Sequence, residues 1–292
     1  MKDLVSIIML ARNKERFVEP SIRSIMAQTY QNWELLFVDD ASEDDTVTLL
    51  MKLSEEDRKR GRMSETKGLL EDGTAIDRIQ VTKTIDSRGE ACNRNLALRN
   101  AKGRWIAFLD AGDIWEPTKL EKQIQFMESN NYAFSYTTYR CIDVNMRDLG
   151  VVVAGPEQIN YHEMLKCCWM GYQTVMYDST KIGLLQVSCM ATVNDYALWL
   201  QAAQKADCHL LPECLASQMV GKSLWHRLLT SDKWTWRYRT YRIVDGRNPI
   251  TATYMTLRNM VYAIGKYRRK RAEGPTPNPS LKGGEIGKRL AL

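Results

Sequence analysis

Apolar residues in this chain fall into short unbroken runs that alternate with stretches of helical spacing. Leu4-Val5-Ser6-Ile7-Ile8-Met9-Leu10 is a continuous, β-branched run and predicts a buried strand. A polar stretch, Arg12-Asn13-Lys14-Glu15-Arg16, leads into helical spacing at Phe17, Ile22, Ile25 and Met26. Residues 33–38 predict a second strand, ending in Asp39-Asp40-Ala41-Ser42, and residues 46–53 return to helical spacing. Residues 54–77 are charged and aperiodic and predict an exposed excursion. Residues 78–83 predict a third strand and 90–101 a helix closed by Lys102-Gly103. Residues 105–109 predict a fourth strand, ending in Asp110-Ala111-Gly112-Asp113, and 119–130 another helix after Pro117. Strand and helix alternating at this rhythm imply βαβ units and a parallel sheet, an α/β fold.

The second half is less regular. Residues 133–139 and 149–154 predict strands, and 161–169 and 195–206 predict helices. Residues 223–245 and 251–271 predict two amphipathic basic helices, and the Pro- and Gly-rich end predicts a disordered tail over 272–292. The expected organisation is one domain over 1–221, with halves 1–120 and 121–221, then a helical extension over 222–271.

Composition narrows the class. Of 292 residues, 44% are apolar, enough for a packed core, which excludes wholesale disorder. No run approaches the ~20 apolar residues of a membrane-spanning helix, and Met1-Lys2-Asp3-Leu4 lacks the apolar region of a secretory signal. Seven cysteines without a C-x-x-C pair argue against a disulfide framework or structural zinc and for a reducing cytosol. Three scattered histidines offer little for a metal cage or a triad. Charge is uneven: residues 222–271 carry thirteen Lys and Arg against two Asp, and this leaves 1–221 at a net −6. The basic segment is either a solvated helical face or a contact for a polyanion or an anionic membrane. No nucleic-acid-reading motif accompanies it, so nucleic acid is not an expected partner.

Chemistry is expected beyond the carboxyl ends of the strands, where open parallel sheets bind ligands. Two strand ends carry clustered carboxylates, Asp39-Asp40 and Asp110/Asp113. Each pair could cap the following helix. Both together favour a site for a divalent cation, Mg²⁺ or Mn²⁺, beside a polar ligand, because these ions take oxygen donors.

Several segments carry a family resemblance. They are Ser6-Ile7-Ile8-Met9 with Asn13, Ser24-Ile25-Met26-Ala27-Gln28-Thr29-Tyr30-Gln31-Asn32-Trp33-Glu34-Leu35, and Val38-Asp39-Asp40-Ala41-Ser42. Gly89, Arg94-Asn95, the stretch from Ala101 to Asp110, and Trp115-Glu116-Pro117-Thr118-Lys119-Leu120 follow in order. From about residue 4 to about 245 the chain resembles inverting GT-A glycosyltransferases of family 2, in particular polysaccharide enzymes of bacterial capsules and teichuronic-acid-type polymers. The resemblance implies a Rossmann-like, mostly parallel sheet flanked by helices, with a nucleotide-sugar half and an acceptor half. It implies that Asp39 and Asp40 hold the base and ribose of the donor, with the main chain around Ala11 and Asn13 lining the same pocket. It places Arg94 near the diphosphate, Asp110 at the donor and metal, Asp113 at the metal, and Asp195 as the catalytic base. The implied partners are a nucleotide-sugar, a UDP-sugar first, and a glycan or lipid-linked acceptor on the cytoplasmic membrane face.

Two positions depart from the family pattern. Gly112 stands where the D-x-D-D element has its middle aspartate, which leaves Asp113 as the candidate second ligand, and Gly112→Asp is expected to strengthen metal affinity or leave it unaltered. Asn194 replaces the usual glutamate before the base. The absence of Q-x-x-R-W favours addition of one sugar over polymerisation. The chemistry needs these residue types. An acceptor hydroxyl is a weak nucleophile and requires a carboxylate to take its proton, and the departing diphosphate requires neutralisation. Two rival readings are a catalytically weak nucleotide-sugar-binding relative, prompted by Gly112, and a nucleotidyltransferase. The latter usually carries a glycine-rich loop after the first strand, and Leu10–Arg16 contains no glycine.

Overall fold

A computed structural model describes residues 3–63, 77–187, 194–221, 232–243 and 246–272. The first half follows the apolar pattern: β1 (Val5–Ala11), α1 (Glu15–Met26), β2 (Trp33–Asp39), α2 (Thr46–Met63), β3 (Ile79–Lys83), α3 (Glu90–Asn100) and β4 (Trp105–Phe108). Then come β5 (Ile114–Trp115), α4 (Lys119–Ser129), β6 (Phe134–Ile142), β7 (Asp148–Val153), β8 (Gln158–Ile159) and α5 (Tyr161–Met164). A 3₁₀ turn at Tyr172–Thr174 precedes β9 (Met176–Asp178), α6 (Ser179–Ile182), α7 (Asn194–Ala203), β10 (Cys208–Met219), α8 (Asp232–Ile243) and α9 (Pro249–Ala272).

These strands form one sheet in the order β3-β2-β1-β4-β9-β6-β10-β5, with β7 beside β6 and β8 beside β10. The β3-β2-β1-β4 half is parallel, as the strand–helix rhythm predicts. Beyond β4 the sheet is mixed: β9 runs antiparallel to β4 and β6, and β10 parallel to β6. Successive residues of β1 point to opposite faces, so Ile7 and Met9 pack with Ile22 and Ile25 of α1, while Ile8 packs with Leu98, Phe108 and Trp199. Trp199 is fully buried, edge-on to Phe108 at 5.1 Å between centroids.

Three local expectations change. The charged run after residue 53 is not an excursion up to Met63: it continues α2. Its charges pair along the helix, Arg58 with Glu55 at 2.5 Å and Arg60 with Glu56 at 2.9 Å, and Arg78 clamps Asp57 at 2.6 Å, so a polar helix holds without an apolar period. The helix predicted over 161–169 stops at Met164. Gly103 does not serve as a left-handed cap. A Cβ there would lie 2.5 Å from the Ser6 nitrogen, so glycine lets the chain pass β1 while its N–H donates to Ser6 Oγ at 2.7 Å. Cys92, in α3, is disulfide-bonded, whereas the other five described cysteines are free.

The basic C-terminal helices sit on the domain. The Tyr241 hydroxyl donates to the Leu165 carbonyl at 2.8 Å and lies 3.1 Å from the Tyr196 hydroxyl. Asn259 of α9 donates to Tyr241 at 3.2 Å and accepts from Arg237 Nε at 2.7 Å. Residues 223–231 and 244–245 of the predicted helix, and nearly all of the tail predicted to be disordered, lie outside the described residues, as do the side chains of Asn194, Trp234 and Trp236.

Candidate active site

A cavity of about 360 Å³ opens at the carboxyl ends of β1, β2 and β4, lined by Ala11, Arg12, Lys14, Asp40, Glu90, Asn93, Arg94, Asp110, Ala111, Asp113, Gln218 and Met219. The loops after β1 and β2 are stitched together beneath it. The Asp40 N–H donates to the Ala11 carbonyl at 2.9 Å, and the Asn13 N–H to Ser42 Oγ at 2.9 Å. Asn13 Oδ1 accepts from the Glu43 N–H, also at 2.9 Å. Asn13 and Ala41 both adopt positive φ, 52° and 55°, a conformation that these cross-loop bonds hold.

Of the expected base-pocket residues, Ala11 and Asp40 line the cavity, whereas the exposed Asn13 and the buried Asp39 do not. Asp39 is fully buried. One carboxylate oxygen accepts from the Ser42 N–H at 2.9 Å, and the other has no hydrogen-bond partner among the described residues. Burial pushes the Asp40 carboxyl up. Hydrogen bonds from Ser87, the Arg88 N–H and Asn93, with the Arg12 charge, outweigh that and hold it below the ordinary value.

The second cluster joins β4, α3 and α7. Arg94 is buried, its Nε donating to the Tyr172 hydroxyl at 3.1 Å and its guanidinium lying 4.5 Å from that ring's centroid. Burial opposes its charge, yet Tyr172, Asp110, Asp195 and Glu90 together hold its pKa above the ordinary value. Asp110 is pushed up to about 6, first by burial, with Glu90 and Asp195 adding to the shift and Arg94 and Lys14 resisting it. The Asp110 carboxylate accepts no hydrogen bond among the described residues. Asp195 sits in the first turn of α7, one oxygen accepting the N–H of Tyr196 at 2.9 Å. Asp195, 85 positions from Asp110 in sequence, is therefore near enough to raise the cost of ionising Asp110.

Asp113 closes the turn, its N–H donating to the Asp110 carbonyl at 3.0 Å, and its Oδ1 accepts from the Met219 N–H at 2.8 Å. Gly112 between them has φ +110°, and a Cβ there would lie 2.4 Å from Met219 Cε. The positive φ of the D-x-G-D turn favours glycine, and the Met219 side chain of β10 fills the space beside it. The donor set tests a divalent cation favourably: the Asp110 carboxylate, which accepts no hydrogen bond among the described residues, and Asp113 beside it supply oxygen donors, the type that Mg²⁺ and Mn²⁺ favour, with water and phosphate oxygens to complete the shell. Among the described residues, no third His, Cys, Asp or Glu completes an all-protein cage.

Sequence reading did not single out Lys14, Glu90, Tyr172, Gln218 or Met219 as site residues. Lys14 stands in the polar stretch after β1 and Glu90 at a helix start, both visible as strand-end or helix-start positions. Tyr172, Gln218 and Met219 carry no local signal.

Residues 6–164 match the model of the family described as Glycosyl transferase family 2. The chain belongs to that family. It is 31% identical over 270 residues to TuaG of Bacillus subtilis (strain 168), a glycosyltransferase assigned to teichuronic acid biosynthesis, covering 91% of this chain and 98% of that one. It is 39% identical over 197 residues, 68% of each chain, to WfgD of Escherichia coli, named UDP-Glc:alpha-D-GlcNAc-diphosphoundecaprenol beta-1,3-glucosyltransferase. The fold is also that of the mannosyltransferase PcManGT from Pyrobaculum calidifontis, solved with GDP-Man and Mn²⁺: TM-score 0.59 at 16% identity, covering 100% of this chain and 81% of that one. The family 2 enzyme described here is therefore a glycosyltransferase with a GT-A fold, and the nucleotidyltransferase reading is set aside.

Proposed function

We propose that this enzyme transfers one sugar, with inversion, from a UDP-sugar to a lipid-linked glycan acceptor in surface polysaccharide synthesis. It would act in the cytoplasm, peripherally at the inner membrane face. The observation that carries the reading is the convergence of Asp110, Arg94 and Glu90 on one cavity whose other wall holds Asp40 and Ala11, with Asp195 outside its lining but near enough for its charge to act on Arg94 and Asp110. The names of the family 2 relatives supply the substrate class.

In this reading Asp39 and Asp40 hold base and ribose, Asp40 being the stronger candidate for direct contact because it lines the cavity, with Asp39, Ala11 and Asn13 shaping the loop around it. Arg94, kept charged by the surrounding acids, faces the diphosphate. Asp110 and Asp113 would hold Mg²⁺ or Mn²⁺, which when bound acts as a Lewis acid toward the leaving diphosphate. Asp195 takes the proton of the acceptor hydroxyl as its oxygen bonds to the anomeric carbon. The bond from that carbon to the diphosphate breaks, and the nucleoside diphosphate leaves. Tyr172 fixes the Arg94 guanidinium by hydrogen bond and ring contact, so the cation is aimed before substrate arrives.

The test is a donor screen scored by UDP release, with a short-chain lipid diphosphate acceptor. Asp195→Asn keeps the shape and removes the proton acceptor. Donor binding should persist while turnover falls roughly 10²–10⁴-fold. Turnover within a factor of a few of the parent enzyme would assign the base elsewhere.

A further inference from the structure

The last helix turns an uncovered apolar face to solvent. In α9, Ala252, Met255, Thr256 and Asn259 are buried against the domain. At about 100° per residue, the opposite side collects Ile250, Tyr254, Leu257 and Val261 in one line. They are 83%, 62%, 51% and 69% exposed. A contiguous apolar stripe of this kind on a surface marks an interaction site. The neighbouring β7, against which α9 packs, exposes Leu149 and Val152 as well. Past Val261 the helix runs on to Ala272, and its sequence there holds Lys266, Arg268, Arg269, Lys270 and Arg271. From Pro249 to Ala272 there is no acidic residue.

We infer that this face of α9 docks on an anionic bilayer, the stripe entering the boundary between headgroups and acyl chains and the cationic end lying on anionic headgroups. The inference deepens the proposed function and rests on it for its purpose, since a lipid-linked acceptor must be met at a bilayer. Tyrosines beside aliphatic residues suit that boundary, where a ring can bury its body and keep its hydroxyl wet. The other occupant to consider is a second copy of the chain. The described stripe spans fewer than two heptads, short of the three or four that sustain a helical seam. Parallel pairing would also bring two sets of five cations together, whereas an anionic surface neutralises them. Tyr241, by contrast, faces the core, so α8 holds the domain and α9 offers the contact.

The experiment uses the full chain with vesicles of phosphatidylcholine alone or mixed with phosphatidylglycerol, at low and high salt, read by co-sedimentation. Binding should require the anionic lipid and weaken with salt. Leu257→Asp together with Val261→Asp, both at exposed positions, should abolish it. Arg268→Glu with Arg269→Glu should weaken it by at least about 25-fold, because each basic residue near such a surface strengthens partition about five-fold. Transfer to a water-soluble acceptor should be unchanged in all these variants. It is scored separately, so an enzyme without sugar-transfer activity would overturn the proposed function and leave the vesicle result readable. Wild-type vesicle binding by the Leu257/Val261 variant, or equal binding to neutral and anionic vesicles, overturns the inference. So does a dimer in sedimentation that the Asp pair dissociates in a chain that binds no vesicles.

Discussion

Restoring the usual acidic residue of the D-x-D-D turn should damage this enzyme. Gly112→Asp places a side chain where φ is +110°, outside the regions open to residues with a Cβ, and such strain costs about 1–3 kcal/mol. The new Cβ would also lie 2.4 Å from Met219 Cε. That atom ends a flexible chain and can move, so the contact adds about 1 kcal/mol or less if Met219 finds another rotamer. A third carboxylate beside Asp110, already pushed up to about 6, adds like charge in the metal-free state. The sum is about 2–4 kcal/mol, a fall in Tm of roughly 4–16 °C for a chain of this size. Thermal unfolding of the parent, Gly112→Ala, Gly112→Asp and each of these combined with Met219→Ala separates the parts. The alanine reports backbone strain plus contact, the Met219 background removes the contact, and the difference between Asp and Ala is the charge. Mn²⁺ titration in the presence of UDP completes the set and should show no tightening in Gly112→Asp. A Gly112→Asp enzyme as stable as the parent, with tighter Mn²⁺ binding, would refute the reasoning and restore the simple expectation from the motif.

Two further outcomes follow from the buried charges. Because Asp110 holds its proton up to about pH 6 in the metal-free protein, protons compete with the cation below that pH. Mn²⁺ affinity measured calorimetrically should be level above about pH 7 and fall up to about tenfold per unit below 6, and a level profile down to pH 5 would assign the cation to other ligands. Lys119 is fully buried, its amine 4.0 Å from the Trp115 ring centroid and without a hydrogen-bond partner among the described residues. Burial drives its pKa well below the ordinary value, and the ring's attraction is too weak to offset that desolvation, so the fold favours the neutral amine. The unfolded chain holds this proton up to about pH 10.4, so burial of the amine costs stability wherever the unfolded chain is protonated, and stability rises with pH toward that value. Lys119→Met should therefore stabilise by about 1–3 kcal/mol at pH 7, with a gain that shrinks as pH rises toward 10; a loss of stability at pH 7 would mean that the amine has a partner.

The apolar pattern by itself determined β1, β2, β3 and β4 and the starts of the helices between them, because each element's burial is encoded in its own spacing: continuous runs for β1, β2 and β4, covered on both faces, alternation for the half-exposed β3, and helical spacing for α1. The acidic strand ends were legible for the same reason, since an Asp pair after an apolar run can only lie at the sheet's edge. Sequence similarity, rather than local pattern, brought in Asp195. What the sequence did not display depends on partners remote in the chain. β10 carries Pro212 and shows register shifts on either side of Cys214, so no two-residue period survives, yet β6 alongside makes it a strand. α2 runs on through a charged stretch because Arg23 and Arg78 reach it from other elements. The Gly112 turn reads as the loss of a ligand in one dimension. In three dimensions it is the space that Met219, 107 residues later, occupies, and Asp113 is held by that residue's own N–H. Periodicity reports which side of an element is buried. Which groups meet across the buried side is decided only when strands from both halves of the chain share one sheet.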